Sequence, residues 1–478
     1  MNLTKSGFKI FVGNIVAALA QFLGIAIFSR QIGAASMGVY FLFLVILNIT
    51  SIFGDFGLRG AVEKRISEGR EPGQFLSSVV LVKLVPVSLL ASGVLLFASQ
   101  LNTYIGAPLA ELLVLTIVVR EASLLSVFVL RGELRVGETA ILKIIRDVGW
   151  LIAGWFLLTA LGDVTGLVYG LIASEIVALL WGWLKVDTIP RRPTVKHARS
   201  LLQYGQFNAI SDVGGYVYSW MDVAILGLFV TQTAVGSYEV AWRVTAAVML
   251  LSRSIATTLF PQMSRWDTED AKARIEELIP RALTPSLALI IPAFFGTLVL
   301  SREILTYVFG AEFAIAWLVL IILMGEKLLQ GVHIILGRAL QAIDRPELAA
   351  LSTIVSVVLN LILNALFIWQ FGIVGAAVAT ALSFSLNTLL HWYYLRNFVR
   401  IQVPYREIGW CTFSSILMAI MVGIIKIIIT PNSLLALLVL IGVGALIYGL
   451  ILLSYGPLRT KAVQTYINLR MTRSQQIG

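Results

Sequence analysis

The sequence is dominated by apolar runs of about 20 residues, the length that a helix needs to cross the hydrocarbon core of a bilayer. Of the 478 residues, 58% are hydrophobic and 13% are charged, which leaves little chain for a soluble domain. We predict an all-α integral membrane protein with about fourteen transmembrane helices. The predicted spans centre near Leu19, Ile46, Leu89, Val118, Ile152, Ile172, Val217, Val248, Ile290, Ile322, Val357, Leu382, Ile420 and Leu446.

Few residues are suited to redox, metal or nucleotide chemistry. Cys411 is the single cysteine, and His197, His333 and His391 are too dispersed to form a known metal-binding motif. The sequence contains neither a phosphate-binding GxxxxGK loop nor a GxSxG nucleophile turn. The net charge of +10 fits lysine and arginine in cytoplasmic links better than it fits nucleic-acid binding. We therefore expect no enzyme activity, no cofactor, no metal and no nucleic-acid partner.

Lysine and arginine concentrate in every second link between the predicted spans. The outer links contain little beyond Arg30 and Arg302. Because positive charge marks the cytoplasmic side, both termini are expected in the cytoplasm of a multi-pass cell-membrane protein. The basic links contain Lys64, Arg65, Arg70, Arg131, Arg135, Arg191, Arg192, Lys196, Arg199, Arg265, Lys272, Arg274, Arg338, Arg345, Arg396, Arg400 and Arg406.

An internal repeat relates the two halves of the sequence. Gly38-Val39-Tyr40 recurs as Gly236-Ser237-Tyr238 at an offset of 198 residues, and Gly166 matches Gly375 at an offset of 209. An even number of spans separates the copies, so the halves have the same orientation and a pseudo-twofold axis along the membrane normal. We expect an N-lobe of six helices at 1–200, a C-lobe of six helices at 201–400, and two C-terminal helices with a tail at 401–478.

Polar residues that share one helical face inside a span are candidates for a transport pathway, because ionisable groups in lipid are costly. In the second span this face holds Asn48, Ser51, Asp55 and Arg59. Asp55 and Arg59 are four residues apart, so a local ion pair is an equally good interpretation. In the first span Asn14 and Gln21 share a face.

The seventh and eighth spans hold a second concentration of polar side chains. Asp212, Tyr216, Ser219 and Asp222 form a stripe along the seventh span, and the eighth span contains Trp242, Arg243 and Arg253. Candidates of a second rank are Arg120 with Glu121, Glu175, and Glu326 with Lys327, Gln330 and His333. For the carboxylates, ion coupling and structural ion pairing both remain open, with pairing the commoner role.

Several short motifs resemble the polysaccharide transporter family of oligosaccharide flippases, within the multidrug, oligosaccharidyl-lipid and polysaccharide flippase superfamily. They occur in the family's order and spacing, and with the predicted spans they cover essentially the whole chain. The matching segments are Arg30-Gln31-Ile32-Gly33, Met37-Gly38-Val39-Tyr40, Asp55-Phe56-Gly57-Leu58, Asp222-Val223-Ala224-Ile225-Leu226-Gly227, Val235-Gly236-Ser237-Tyr238 and Ala241-Trp242-Arg243.

The resemblance implies two lobes around a cavity that opens alternately to each side of the membrane. It implies flipping of an oligosaccharide linked to polyprenyl phosphate or pyrophosphate from the cytoplasmic to the outer leaflet. Cationic groups would bind the phosphate, and Arg59, Arg243 and Arg253 are the candidates because guanidinium binds phosphate through two parallel hydrogen bonds. Expected partners are this lipid-linked substrate, membrane lipid and a coupling ion, H⁺ or Na⁺.

Two other functions remain as alternatives. A multidrug extruder of the same superfamily would use carboxylates such as Asp212, Asp222 and Glu175 for cationic drugs and the coupling ion. A membrane-embedded glycosyltransferase or polymerase would need a catalytic loop, and the short links argue against one.

Overall fold

The computed structural model describes residues 3–264, 271–343 and 345–460. Within these ranges the side chains at 3–8, 207, 210–218, 250, 251, 253–264, 271, 272, 274 and 275 fall outside the description. Regular structure in the described residues is helical throughout, as expected for a chain whose backbone polar groups must bond within each segment in lipid. The helices are α1 Leu3–Asp55, α2 Leu58–Ser67, α3 Pro72–Leu96, α4 Ala98–Ile105, α5 Ala110–Gly132, α6 Thr139–Leu161, α7 Val164–Lys185, α8 Val195–Phe229, α9 Gln232–Ser264, α10 Ala271–Ile304, α11 Trp317–Ala342, α12 Pro346–Leu395, α13 Tyr405–Ile428 and α14 Leu434–Ser454.

Each predicted span centre lies inside one of the long helices. Helices α1 and α12 contain two centres each, because the chain turns sharply inside them at Gly33 (φ 76°, ψ 177°) and Gly372 (φ 56°, ψ −133°). These dihedral angles are open essentially to glycine alone. The all-α membrane architecture is therefore confirmed, while the number of helices that cross the membrane stays a prediction.

Nine helices among the described residues are long and apolar enough to span a membrane. Helix α11, which contains the candidates Glu326 and Lys327, is not among them, and the side chains of α8 and α9 are described only in part. Charged groups in a spanning helix are tolerated when they face protein or water rather than lipid. Glu326 and Lys327 of α11 are both buried, in agreement with this rule.

The chain divides into two compact units, Met1–Glu239 and Val240–Gly478. In the first unit α6 packs along α7, α5 packs on α7, and α1 packs on α6, while α8 lies against α1, α2 and α3. In the second unit α11 packs between α10 and α12, and α13 joins α10 to α14. The predicted boundaries at residues 200 and 400 stay predictions.

Two glycines that correspond in the sequence repeat have the same local packing. A Cβ atom on Gly166 would lie 2.7 Å from Leu158 Cα, and one on Gly375 would lie 2.0 Å from Phe367 O. Gly166 and Gly375 are 209 residues apart, and so are Leu158 and Phe367. Each glycine lets one helix approach the preceding helix at an equivalent point, which agrees with the predicted repeat.

Candidate functional site

The polar face of the second span ends at a break in the helix. Helix α1 ends at Asp55, Phe56 and Gly57 adopt left-handed backbone angles (φ 47° and 73°), and α2 begins at Leu58. Asn48, Ser51, Asp55 and Arg59 are all buried, with at most 6% of each residue exposed. The face that the sequence predicts is therefore directed into protein.

Four charged side chains form a closed network around this break, which we call the charge network: Asp55, Arg59, Lys83 of α3 and Glu121 of α5. Arg59 Nε lies 3.2 Å from Asp55 Oδ1, and Arg59 Nη2 lies 2.5 Å from Glu121 Oε1. Lys83 Nζ lies 2.8 Å from Asp55 Oδ1 and 2.8 Å from Glu121 Oε2. Both carboxylates therefore contact both cations.

The charge network is electrically neutral and almost inaccessible to solvent. The Ser51 hydroxyl donates to Glu121 Oε1 (2.7 Å) and accepts from Arg59 Nη2 (2.9 Å). The Arg59 backbone N–H donates to Asp55 Oδ1 (3.1 Å). Buried charges are tolerated when they are paired and hydrogen-bonded in this way. The local Asp55–Arg59 pair that the sequence suggests exists, as part of a larger network.

Sequence reasoning missed Lys83 and placed Glu121 beside Arg120 as a lesser candidate. Arg120 instead donates to Asn48 Oδ1 (2.9 Å), on the same polar face of α1. One signal could have identified Lys83, because it is the only charged residue of α3 and lies near the middle of that apolar helix. A lysine in such a position requires a buried partner or a function.

The remaining candidates of the first unit occupy separate places. Gln21 Nε2 donates to Asp147 Oδ1 of α6 (2.9 Å), whereas Asn14 is exposed. Glu175 of α7 is 4% exposed, and its Oε2 atom has no hydrogen-bond partner among the described residues. In α8, Ser219 is exposed and Asp222 Oδ2 accepts a hydrogen bond from the Tyr238 hydroxyl (2.8 Å). The side chains of Asp212, Tyr216 and Arg253 lie outside the described residues.

In the second unit the candidates Glu326, Lys327 and Trp242 lie together. Glu326 and Lys327 are 1% and 2% exposed, and Lys327 Nζ lies 2.6 Å from Glu326 Oε2. The same ammonium lies 5.5 Å from the centre of the Trp242 ring, a cation–π distance. Arg243, the next residue of α9, is half-buried.

The two copies of the Gly-x-Tyr motif contact each other inside the first unit. A Cβ atom on Gly38 would lie 1.8 Å from Gln232 O, and one on Gly236 would lie 2.2 Å from Ala34 O and 2.9 Å from Gly38 N. The backbones of α1 and α9 thus touch at both motif glycines. This reciprocal contact, in the links predicted to face outside, gives a packing reason for the repeated glycine.

Polar contacts fasten the α7–α8 linker, residues 186–194, to neighbouring segments at the end predicted to face the cytoplasm. Glu133 Oε1 accepts from the backbone N–H groups of Asp187 (3.0 Å) and Thr188 (2.8 Å). Arg135 donates to Lys185 O (2.5 Å) and to Asp187 Oδ2 (2.7 Å). A hydrogen bond to Glu138 and the negative charges of Asp187 and Glu133 raise the pKa of Arg135 above its usual range. The guanidinium that contacts the linker therefore stays positively charged.

The sequence matches the profile of a family described as "Polysaccharide biosynthesis protein" over residues 27–317. A relative from Haloferax volcanii, "Probable low-salt glycan biosynthesis flippase Agl15", is 52% identical over 469 residues, which is 98% of this chain and 99% of the relative. "Probable flippase AglR" of the same organism is 29% identical over 448 residues and covers 92% of this chain and 93% of the relative.

The fold is similar to that of two solved transporters. "Lipid II flippase MurJ, inward closed conformation" superposes with a TM-score of 0.79 and 18% identity, covering 92% of this chain and 97% of that one. An inward-facing multidrug resistance MATE family transporter of the MOP superfamily superposes with a TM-score of 0.60 and 16% identity, covering 80% of this chain and 94% of that one. The sequence motifs, the profile match over more than half of the chain and the full-length relative agree, and the chain belongs to the family of polysaccharide biosynthesis proteins.

Proposed function

We propose that this protein is a flippase that carries an oligosaccharide linked to polyprenyl phosphate or pyrophosphate from the cytoplasmic to the outer leaflet by alternating access. The observation that carries the proposal is the match, along essentially its whole length, to a protein named as a glycan biosynthesis flippase. The fold shared with a lipid II flippase supports it.

The substrate chemistry assigns roles to particular residues. A lipid-linked phosphate is an anion that must pass through a protein interior, and guanidinium groups bind phosphate through paired, charge-assisted hydrogen bonds. Arg59, Arg243 and Arg253 are the proposed phosphate ligands. The buried position of Arg59 supports its role. In the protein interior the local dielectric is low, so a hydrogen bond between a guanidinium and an anion is stronger there than in water. The pathway would be lined by Asn14, Gln21, Asn48, Asp55, Tyr216, Ser219 and Trp242.

We assign the coupling of transport to an ion gradient to carboxylates in the helices. An H⁺ or Na⁺ gradient would act through Asp212, Asp222, Glu175 or the Glu326–Lys327 pair. Glu175 is of particular interest, because a buried carboxylate oxygen without a described hydrogen-bond partner suits a site that gains and loses a cation.

Export of a glycan tests the function directly. The chain is expressed in Haloferax volcanii cells that lack the 52% identical relative, and the glycan on cell-surface protein is measured by mass spectrometry. We expect the wild-type chain to restore the glycan and Arg243→Ala to fail at equal protein abundance, with Arg243→Lys restoring it in part. A normal level of the wild-type chain without any glycan would contradict the proposal.

The multidrug extruder is the second candidate, favoured by the fold shared with a MATE transporter. The same cells distinguish the two functions. Resistance to cationic drugs that depends on Asp222, with no recovery of the glycan, would identify the extruder.

A further inference from the structure

Lys83, a buried cation near the middle of α3, has a position that suggests a role in substrate binding. We propose that Lys83 is a positioning residue that holds the carboxylates of Asp55 and Glu121, so that Arg59 can exchange them for a substrate phosphate. The inference rests on the proposed function and deepens it, because it assigns the groups that let the phosphate site change partners.

The second cation of the charge network, Lys83, contacts both carboxylates that Arg59 would release. If the Arg59 guanidinium turned to a phosphate, Asp55 Oδ1 and Glu121 Oε2 would each keep the Lys83 ammonium at 2.8 Å. Glu121 Oε1 would also keep the Ser51 hydroxyl at 2.7 Å. No carboxylate would be left in the protein interior without a cationic partner.

Without Lys83 the same exchange would be strongly unfavourable. Arg59 would then be the only cation of the charge network, shared by two carboxylates that are at most 6% exposed. Drawing Arg59 toward a phosphate would leave two buried negative charges uncompensated, and a third negative group would approach them. Lys83 therefore favours phosphate binding by Arg59 and also stabilises the charge network.

The two cations differ in the chemistry that each task requires. Arginine offers a planar fork that matches phosphate, whereas the lysine ammonium is a compact charge with three donors that can bridge two carboxylates. Their placement in the fold agrees with this division. Arg59 lies in α2, a separate helix of 10 residues after the break at Phe56 and Gly57, whereas Lys83 and Glu121 lie within the long helices α3 and α5.

The experiment measures binding of a short-chain polyprenyl pyrophosphate to the purified full-length protein. Farnesyl pyrophosphate is the probe, farnesol is the control without phosphate, and both affinity and melting temperature are recorded. For Lys83→Met we expect at least a tenfold loss of pyrophosphate affinity and a lower melting temperature. Lys83→Arg keeps the charge but not the compact ammonium, so both properties should lie between those of Lys83→Met and the wild type. Lys426→Met is the matched control because it removes a membrane lysine paired with Glu303 (2.7 Å) in the other unit.

The double variant Lys83→Met with Glu121→Gln separates positioning from charge balance. It leaves one cation and one carboxylate, Arg59 and Asp55, so the melting temperature should return toward wild type. Pyrophosphate affinity should stay at least tenfold reduced, because Asp55 then depends on Arg59 alone. Wild-type affinity in the double variant, or in Lys83→Met alone, would overturn the proposal and leave Lys83 as a structural counter-charge.

The failure of the proposed function would look different. A wild-type protein that binds farnesol and farnesyl pyrophosphate equally would contradict the phosphate-linked substrate itself. If the wild-type protein prefers the pyrophosphate, the phosphate-linked substrate class stands. If Arg59→Gln then binds the pyrophosphate with unchanged affinity, Arg59 is not the phosphate ligand and the proposed role of Lys83 is wrong.

Discussion

Several charged residues that are buried in the helices lie beside groups that compensate them. Asp55, Arg59, Lys83 and Glu121 balance one another, and Glu326 pairs with its neighbour Lys327. The bilayer enforces this arrangement, because an unpaired charge in its interior costs several kcal/mol. The role of such a paired residue is therefore judged together with its partner.

The hydrogen bond between Tyr238 and Asp222 leads to a prediction at the residue scale. The Tyr238 ring is 1% exposed and its hydroxyl donates to the Asp222 carboxylate, so Tyr238→Phe keeps the packing and removes the donor. Hydrogen bonds to charged groups contribute about 1.5–3 kcal/mol, so we expect a melting temperature several degrees lower. Tyr169→Phe, which removes the hydroxyl of an exposed tyrosine, should melt like the wild type. Equal melting temperatures for the two variants would show that the bond adds nothing to stability.

At the scale of helices, contacts between backbones determine how segments of the first unit meet. Helix α9 approaches α1 at Gly38 and Gly236, and the α7–α8 linker is fixed by side chains of the α5–α6 connection. Both contacts join elements that are distant in sequence. They are the places where a small change in one side chain would move a whole element.

Adding a methyl group at the glycine contact should separate α1 from α9. A Cβ atom on Gly38 would overlap Gln232 O, which is backbone and must shift, so Gly38→Ala should destabilise the protein by about 1–3 kcal/mol. Gly93→Ala in α3 is the matched control, because nothing lies within 4 Å of its Cβ position. Thermal melting of the purified variants checks the difference. If Gly38→Ala melts like Gly93→Ala, the close contact is absent in solution.

Release of the α7–α8 linker should be visible by proteolysis. Glu133→Ala removes the acceptor of three hydrogen bonds from Asp187 and Thr188, so trypsin should cleave after Arg191 several-fold faster than in wild type. Glu68→Ala breaks an exposed ion pair with Arg65 in another basic link and should leave the cleavage rate unchanged. Equal rates for the Glu133→Ala variant and the wild type would contradict the fastening role of Glu133.

At the scale of the whole molecule, orientation follows from the distribution of lysine and arginine. The basic links alternate with links that are poor in positive charge, which predicts both termini in the cytoplasm. Reporters inserted at Glu71 and Lys196 should therefore report the cytoplasm, and reporters at Asp163 and Gln232 the outside. An outside signal at Lys196 would contradict the number of spans before it and the parallel repeat together.

The sequence by itself determined the class of the protein, the positions of the helices and the family. Lipid leaves the backbone few options, so apolar length alone locates the long helices. Local spacing likewise predicted the Asp55–Arg59 pair, because residues four apart share a helical face. The family followed from short motifs whose order and spacing survive in the linear sequence.

Only the tertiary structure decided which distant side chains meet. Lys83 and Glu121 are separated from Asp55 by 28 and 66 residues, and no periodicity within a helix relates them to it. The same holds for Gly38 and Gly236, whose similarity revealed a repeat but not that its two copies contact each other. The physical reason is that helix periodicity fixes the direction of a side chain within its own helix, whereas its partner depends on which helices pack together and at what height.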